Sequence, residues 1–281
     1  MYYYILDPGK TPLPKFEQFQ VQLQGLLHEF NISGEIGRIT TLRSAEDLVG
    51  IAASRGATTI IVCGSDDTLN QVLAAIKHRD LLVGFLPLDP KTSYLSTILG
   101  IPSLEAGVKT IAARRIVPID LATLGNFHFI SFVEFGITSQ NLSQAGMWKT
   151  LQLLSKPVTK WKMRIDESYE LEIEGMGGLL INSRSTSSKQ EKIANPTDGL
   201  MDLLLIERIS KSDILKFRDV LTRGQLEELP NYTVIKCKVV EFLEPKGQTL
   251  TMFSRPVAKF PVKISMLNRK QRMIVGKQRT F

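Results

Sequence analysis

Residues 59–72 read Thr-Ile-Ile-Val-Cys-Gly-Ser-Asp-Asp-Thr-Leu-Asn-Gln-Val. Thr59–Val62 is a β-branched, apolar run with the composition of a buried strand, and Thr68–Lys77 reads as a helix. Between them lies Gly64-Ser65-Asp66-Asp67-Thr68. A strand that passes through a short turn into a helix aims backbone N–H groups at one point, which is where a phosphate would be held. The same residues also make a plain strand-to-helix turn, with Asp66 or Asp67 capping the helix. The rest of the chain bears on which reading holds.

Outward from this stretch, the first 120 residues alternate strand and helix. Tyr2–Leu6 reads as a strand, Phe16–Phe30 as a helix (Phe19, Leu23, Leu26, Leu27, Phe30), and Glu35–Thr40 as a second strand. Ser44 is a helix N-cap with Glu46 and Asp47 in the first turn, and the helix Ala45–Arg55 ends at Gly56. Leu81–Leu86 is a further strand, followed by helices at Ser93–Leu99 and Leu104–Ala113. This is the pattern of an α/β layer on a mostly parallel sheet. From about Ile116 the texture changes to strands between turns: 116–124, 127–135, 162–165, 169–173, 178–181, 201–206, 233–242, 248–253, 262–266 and 271–275. Such density predicts an antiparallel, β-rich sandwich as a second domain. One helix, Asp213–Leu221 with Ser212 as N-cap, and an exposed loop, Ser183–Ala194, interrupt it.

Composition narrows the classes. No apolar run is long enough to span a bilayer, and the N-terminus lacks a basic, cleavable leader. Cys63 and Cys237 are the only cysteines, which excludes a zinc ribbon or disulfide scaffold and suits a reducing cytoplasm. His28, His78 and His128 are scattered, so neither a histidine metal cluster nor a histidine triad is expected. The net charge of +7 suits a solubilising surface and, secondarily, docking on anionic lipid headgroups. It concentrates at Arg269, Lys270, Arg272, Lys277 and Arg279.

Taken in order, these segments resemble the diacylglycerol kinase catalytic-domain family of lipid kinases, which shares its fold with NAD kinases. Leu6-Asp7-Pro8-Gly9 stands where the family has a strand ending in Asn-Pro, and Thr41 precedes the second helix. Gly64–Thr68 resembles the family's Gly-Gly-Asp-Gly-Thr loop and continues through Leu69-Asn70-Gln71-Val72. Leu86-Pro87-Leu88 and Leu99-Gly100-Ile101-Pro102 flank the position of a second glycine motif. Ile116–Leu121 resembles the opening strand of the second domain, Leu180-Ile181-Asn182 a strand ending in asparagine, and Asp198-Gly199-Leu200-Met201-Asp202 the Asp-Gly-x-Leu-Asp signature. Arg223-Gly224 and Leu229-Pro230 fall at a helix end and a turn of the family pattern.

The resemblance implies an α/β nucleotide-binding-like domain over residues 1–115, completed by about 262–281, and a β-rich domain over 116–261. It further implies ATP and magnesium as cofactors, with Asp7, Thr41, Gly64, Ser65, Asp66, Thr68 and Asn70 at the nucleotide. A structural magnesium would be held by Asp198 and the carbonyls of Asn195 and Leu200, although Asp198-Gly199 reads equally as a turn. Asp120 corresponds to an aspartate of the active-site water network, or to a partly buried structural acid. Trp148 and Trp161, with Met147, match either an apolar lipid-facing lip or core residues.

Departures from the pattern concentrate in the chemistry. Ser65 and Asp67 replace two glycines of the loop. A carboxylate roughly 4 Å from a phosphate costs ~1 kcal/mol in water and ~4 kcal/mol at an effective dielectric of 20. Asp89-Pro90-Lys91-Thr92-Ser93 replaces the second glycine motif, with a proline that removes a donor. Arg255 falls at the position of the catalytic glutamate, and an arginine stays protonated at neutral pH. No Asp or Glu follows Pro245, which leaves Glu134 or Asp120 as substitutes. The expectation is a lipid-kinase-like protein with ATP binding and phosphoryl transfer lost or reduced, acting as a lipid- or partner-binding module. The alternatives are an active ATP- and magnesium-dependent lipid kinase with a remodelled site, and a basic scaffold on anionic membranes. Expected partners are a lipid or anionic membrane surface, a protein, or a second copy of the chain, but no nucleic acid. The expected location is cytoplasmic, peripheral at the membrane.

Overall fold

The computed structural model describes residues 1–76, 79–138, 158–183, 195–208, 213, 216, 232–253 and 255–281. The chain divides into two compact units. One comprises Met1–Leu121, Asn126–Phe129 and Asn268–Phe281, and the other Ala122–Gly125 and Ile130–Leu267.

The first unit begins with β1 (Tyr2–Leu6), α1 (Leu13–Glu29), β2 (Glu35–Arg38), α2 (Ala45–Ser54) and β3 (Thr59–Gly64). It continues with α3 (Asp66–Ile76), β4 (Leu82–Pro87), α4 (Tyr94–Leu99), α5 (Leu104–Ala113) and β5 (Ile116–Ile119). The first four strands pair in parallel in the order β2-β1-β3-β4. β3 and β4 are buried at every position, as unbroken apolar runs in a sheet covered on both faces should be. Phe16, Phe19, Leu23 and Leu27, at helical spacing on α1, share one core with Tyr4, Ile61, Leu82 and the α5 residues Val108 and Ile111. α1 starts earlier than its apolar periodicity indicates because Pro14 is accommodated in the first turn. α2 starts where expected, with reciprocal capping between Ser44 and Asp47. α3 starts at Asp66, two residues before the expected Thr68, so the acidic pair lies inside the helix.

The second unit is antiparallel. The expected strand 116–124 breaks after Ile119: β5 stays in the first unit and β6 (Ala122–Leu124) opens the second. β7 (Phe127–Phe129) lies beside α3 in the first unit. There follow β8 (Phe132–Gly136), β9 (Thr159–Ile165), β10 (Tyr169–Gly175), β11 (Gly177–Ile181), β12 (Met201–Ile206) and β13 (Tyr232–Cys237). Next come β14 (Val239–Glu244), β15 (Thr249–Met252), β16 (Arg255–Lys259) and β17 (Val262–Met266). One sheet runs β10-β9-β14-β17-β6 and the other β13-β12-β11-β8-β15-β16. Phe135 from the second sheet meets Trp161 and Phe242 from the first, with ring centroids 5.0 and 5.1 Å apart. Phe260 stacks on Phe242 at 4.9 Å. Trp161 is therefore a core residue, its indole N–H donating to the Gly175 carbonyl at 3.0 Å, and not part of an exposed lip. Met147, Trp148, the helix Asp213–Leu221 beyond positions 213 and 216, residues 184–194, and the 223–224 and 229–230 motifs lie outside the described residues.

The chain then returns to the first unit. β18 (Gln271–Ile274) enters between β4 and β5, parallel to β4 through Met273 and Val83 and antiparallel to β5. The Gln271 amide donates to the Leu81 carbonyl at 2.7 Å. Beyond it, the Gly276 N–H donates to Leu99 O at 2.8 Å. The two backbones approach so closely that a Cβ at Gly276 would lie 2.0 Å from the Gly100 carbonyl oxygen. Gly276→Ala is therefore expected to lower stability by about 1–3 kcal/mol, as overpacking against backbone does. Urea denaturation followed by circular dichroism checks this; an unchanged midpoint would contradict the close approach.

Candidate functional site

In a parallel sheet, ligands collect beyond the carboxyl ends of strands where the strand order reverses. Here the chain goes from β1 to β2 on one side and on to β3 on the other, so that point lies between β1 and β3. Asp7 follows β1 and Ser65 follows β3.

The structure brings Asp7, Gly64, Ser65, Asp66 and Thr68 together. The Thr68 hydroxyl donates to Asp7 Oδ2 at 2.5 Å, and the Ser65 N–H donates to Thr68 Oγ1 at 3.1 Å. The Thr68 N–H donates in return to Ser65 Oγ at 3.2 Å, which makes Ser65 the cap of α3. Asp7 is itself fixed: its N–H donates to the Cys63 carbonyl at 2.8 Å, and its Oδ1 accepts from the Gly9 N–H at 2.9 Å. Gly64 is the glycine this turn requires, because a Cβ there would sit 2.8 Å from Thr68 Oγ1.

Asp66 points elsewhere. Its Oδ1 accepts from the Ser93 hydroxyl at 2.5 Å, and its Oδ2 accepts from the N–H groups of Tyr94 at 2.7 Å and Leu95 at 3.2 Å. The carboxylate at the start of α3 thus caps the start of α4, with Ser93 shared as the local cap of that helix through the Ser96 N–H. Burial pushes the Asp66 carboxyl above the usual carboxylate range, and the donors from Ser93, Leu95 and Tyr94 offset only part of that. Asp67 is half-buried in the first turn of α3, where the helix dipole favours it, and accepts from Gln71 Nε2 at 3.3 Å.

The remaining expected residues divide. Asn70 is fully buried on α3. Thr41 is exposed in the Thr40–Arg43 turn after β2 and is not drawn into the Asp7–Thr68 network. In the loop after β4, the Asp89 carboxylate accepts from the Lys91 N–H at 3.2 Å and its carbonyl accepts from the N–H groups of Thr92 and Ser93, while Lys91 is exposed. Asp120 is 2% exposed and paired with Lys270, whose Nζ lies 3.1 Å from Oδ1. In the second unit, Glu134 is buried on β8, and Arg255 is exposed at the start of β16 opposite Met252. Asp198 Oδ1 accepts from the Leu200 N–H at 3.0 Å, and the Asn195 side chain accepts from Thr197. Among the described residues no group of three or more His, Cys, Asp or Glu is placed to hold a metal.

Sequence reasoning missed the lysines. Lys270 read as part of a basic tail, and Lys236 attracted no reading, because each meets its aspartate only through tertiary pairing. The link from Asp66 to Ser93 was also missed, though Ser93 is recognisable as a cap.

Residues 13–124 match the family model for the diacylglycerol kinase catalytic domain. Over 238 residues, 78% of each chain, the protein is 25% identical to a "Probable lipid kinase YegS-like" of Enterobacter sp. (strain 638). Over 78 residues, 26% of each chain, it is 33% identical to a protein of the same description from Cronobacter sakazakii. Its fold is similar to that of a diacylglycerol kinase from Bacillus anthracis str. Sterne, with a TM-score of 0.75, 17% identity, and 98% and 97% of the two chains covered. It is similar also to an NAD kinase from Archaeoglobus fulgidus solved in complex with ATP, with a TM-score of 0.56, 11% identity, and 99% and 95% covered.

The raised Asp66 carboxyl has a consequence for stability against pH. The folded state holds this proton more tightly than the unfolded state, so its contribution is largest below the ordinary value of 3.8 and is lost as pH rises toward the raised value. The difference in unfolding free energy between the wild type and Asp66→Asn is expected to fall with rising pH across that window and to level off near neutrality. Denaturant titrations of both proteins through the acid range measure it, and a parallel pair of curves would refute it. At pH 7, Asp66→Ala is expected to cost about 2–3 kcal/mol, from lost charge-assisted hydrogen bonds and a lost helix cap.

Proposed function

We propose that this member of the diacylglycerol kinase catalytic-domain family is a lipid-kinase-like protein with greatly reduced phosphoryl transfer, serving as a lipid- or partner-binding module. The observation that carries this reading is the closure of the β3–α3 turn on itself. The Ser65 N–H is spent on Thr68, the Thr68 hydroxyl on Asp7, and the Asp66 carboxylate on the first turn of α4. A triphosphate held by backbone N–H groups fits such a turn poorly. Ser65 and Asp67 bring side chains where bare backbone would have to approach, and Asp67 and Asp89 add negative charge.

The base is the second deficit. Transfer to a lipid hydroxyl needs a carboxylate or an equivalent group to take the hydroxyl proton. Arg255 cannot do this, and no acidic residue follows Glu244. Of the two acids that could substitute, Asp120 is held by Lys270 and Glu134 is buried in β8.

The family and the surplus of positive charge favour a lipid or anionic surface as the ligand. No helix among the described residues is long and apolar enough to cross a membrane.

Transfer of labelled phosphate from ATP to diacylglycerol, ceramide or sphingosine in mixed micelles tests the first part. The expected result is background incorporation, with no thermal stabilisation by any of a panel of magnesium nucleotides. Robust turnover that disappears in both Asp66→Ala and Asp66→Asn would overturn the reading in favour of a working lipid kinase. Flotation with vesicles tests the second part, with binding expected to strengthen as anionic lipid is added and to weaken with salt.

A further inference from the structure

We infer that the turn 195–202 is held by a cation built into the chain, the Lys236 ammonium, and that it takes no divalent metal where the family resemblance implies magnesium. The inference does not depend on whether phosphoryl transfer survives.

The ladder between β12 and β13 sets Lys236 directly opposite Asp202. The Lys236 Nζ lies 3.0 Å from Asp202 Oδ1 and 3.6 Å from Asp198 Oδ2. Asp202 is 2% exposed, so its charge requires a counter-charge at close range. Lys236 supplies it along a side chain that is half exposed.

Two of the three implied ligands, Asp198 and the Asn195 carbonyl, are already engaged. Asp198 Oδ1 accepts from the Leu200 N–H at 3.0 Å, while its other oxygen faces Lys236. The Asn195 carbonyl accepts from the Asp198 N–H at 3.4 Å, and its side chain accepts from the Thr197 N–H and hydroxyl at 3.2 and 2.7 Å. Magnesium demands a near-octahedral set of oxygens at close range. A dication bound through Asp198 would stand beside the ammonium and be repelled by it. The residues present do not fit the metal; they fit the lysine.

Manganese binding to the full-length chain, read by electron paramagnetic resonance, tests this directly. The wild type is expected to hold no ion that Asp198→Asn removes. In Lys236→Met, which keeps most of the stem and loses the charge, manganese affinity is expected to rise about tenfold or more at a site that Asp198→Asn then abolishes. Thermal melting should agree: the wild type is indifferent to chelator or magnesium, whereas Lys236→Met melts earlier in chelator and recovers when magnesium is added. Manganese bound by the wild type and lost in Asp198→Asn would overturn the inference. So would a Lys236→Met protein with wild-type stability in chelator and no gain in affinity. If Lys236→Met fails to fold, the comparison of wild type with Asp198→Asn still decides.

Discussion

A carboxylate that is buried must be met by donors, and Asp66 is met by the start of a second helix. That one arrangement fixes the site end of the first unit. It ties the turn after β3 to the turn after β4, because α3 cannot shift without withdrawing the cap of α4. It leaves Ser65 and Thr68 to satisfy each other and Asp7. Hydrogen bonds to a charged group are worth about 1.5–3 kcal/mol each, so moving one turn without the other would lose them. The paired donors of the two turns close inward.

Much of this was legible in the chain, for local reasons. The parallel strands announce themselves as apolar runs ended by turn residues, and Ser44 and Ser93 mark helix starts because capping is decided within four residues. What stayed hidden is non-local. The stretch 233–242 reads as one strand, but the chain changes sheets at Lys238, where the Asp166 side chain accepts from the N–H groups of Lys238 and Val239 at 2.8 and 2.9 Å. Strand β16, Arg255–Lys259, was missed since an edge strand carrying Pro256 and charged ends looks like a loop. The candidate site was visible as a list of residues and not as a set of contacts. That Asp7 meets Thr68, or that Asp66 meets α4, follows only from which strand lies next to which.

Charge compensation follows a common rule in both units. Asp120 and Asp202, each 2% exposed, are answered by Lys270 and Lys236, whose stems reach in from the surface. Lysine suits the task, since its long apolar stem crosses the partly buried zone and its head remains hydrated on one side. Asp202, in a segment that resembles a family signature, is met across the ladder by a lysine that is remote in sequence.

The placement of β18 bears on how the protein is made. β4 and β5 are the neighbours of a strand that is synthesised only after the whole second unit. While the ribosome proceeds from Ile119 to Gln271, at roughly 5–20 residues per second, β4 presents an open edge and β5 has no partner in its sheet. An unpaired apolar edge of this kind is a template for association with other chains. The sheet of the first unit therefore closes only on the order of ten seconds after β5 is made, timed by the arrival of β18.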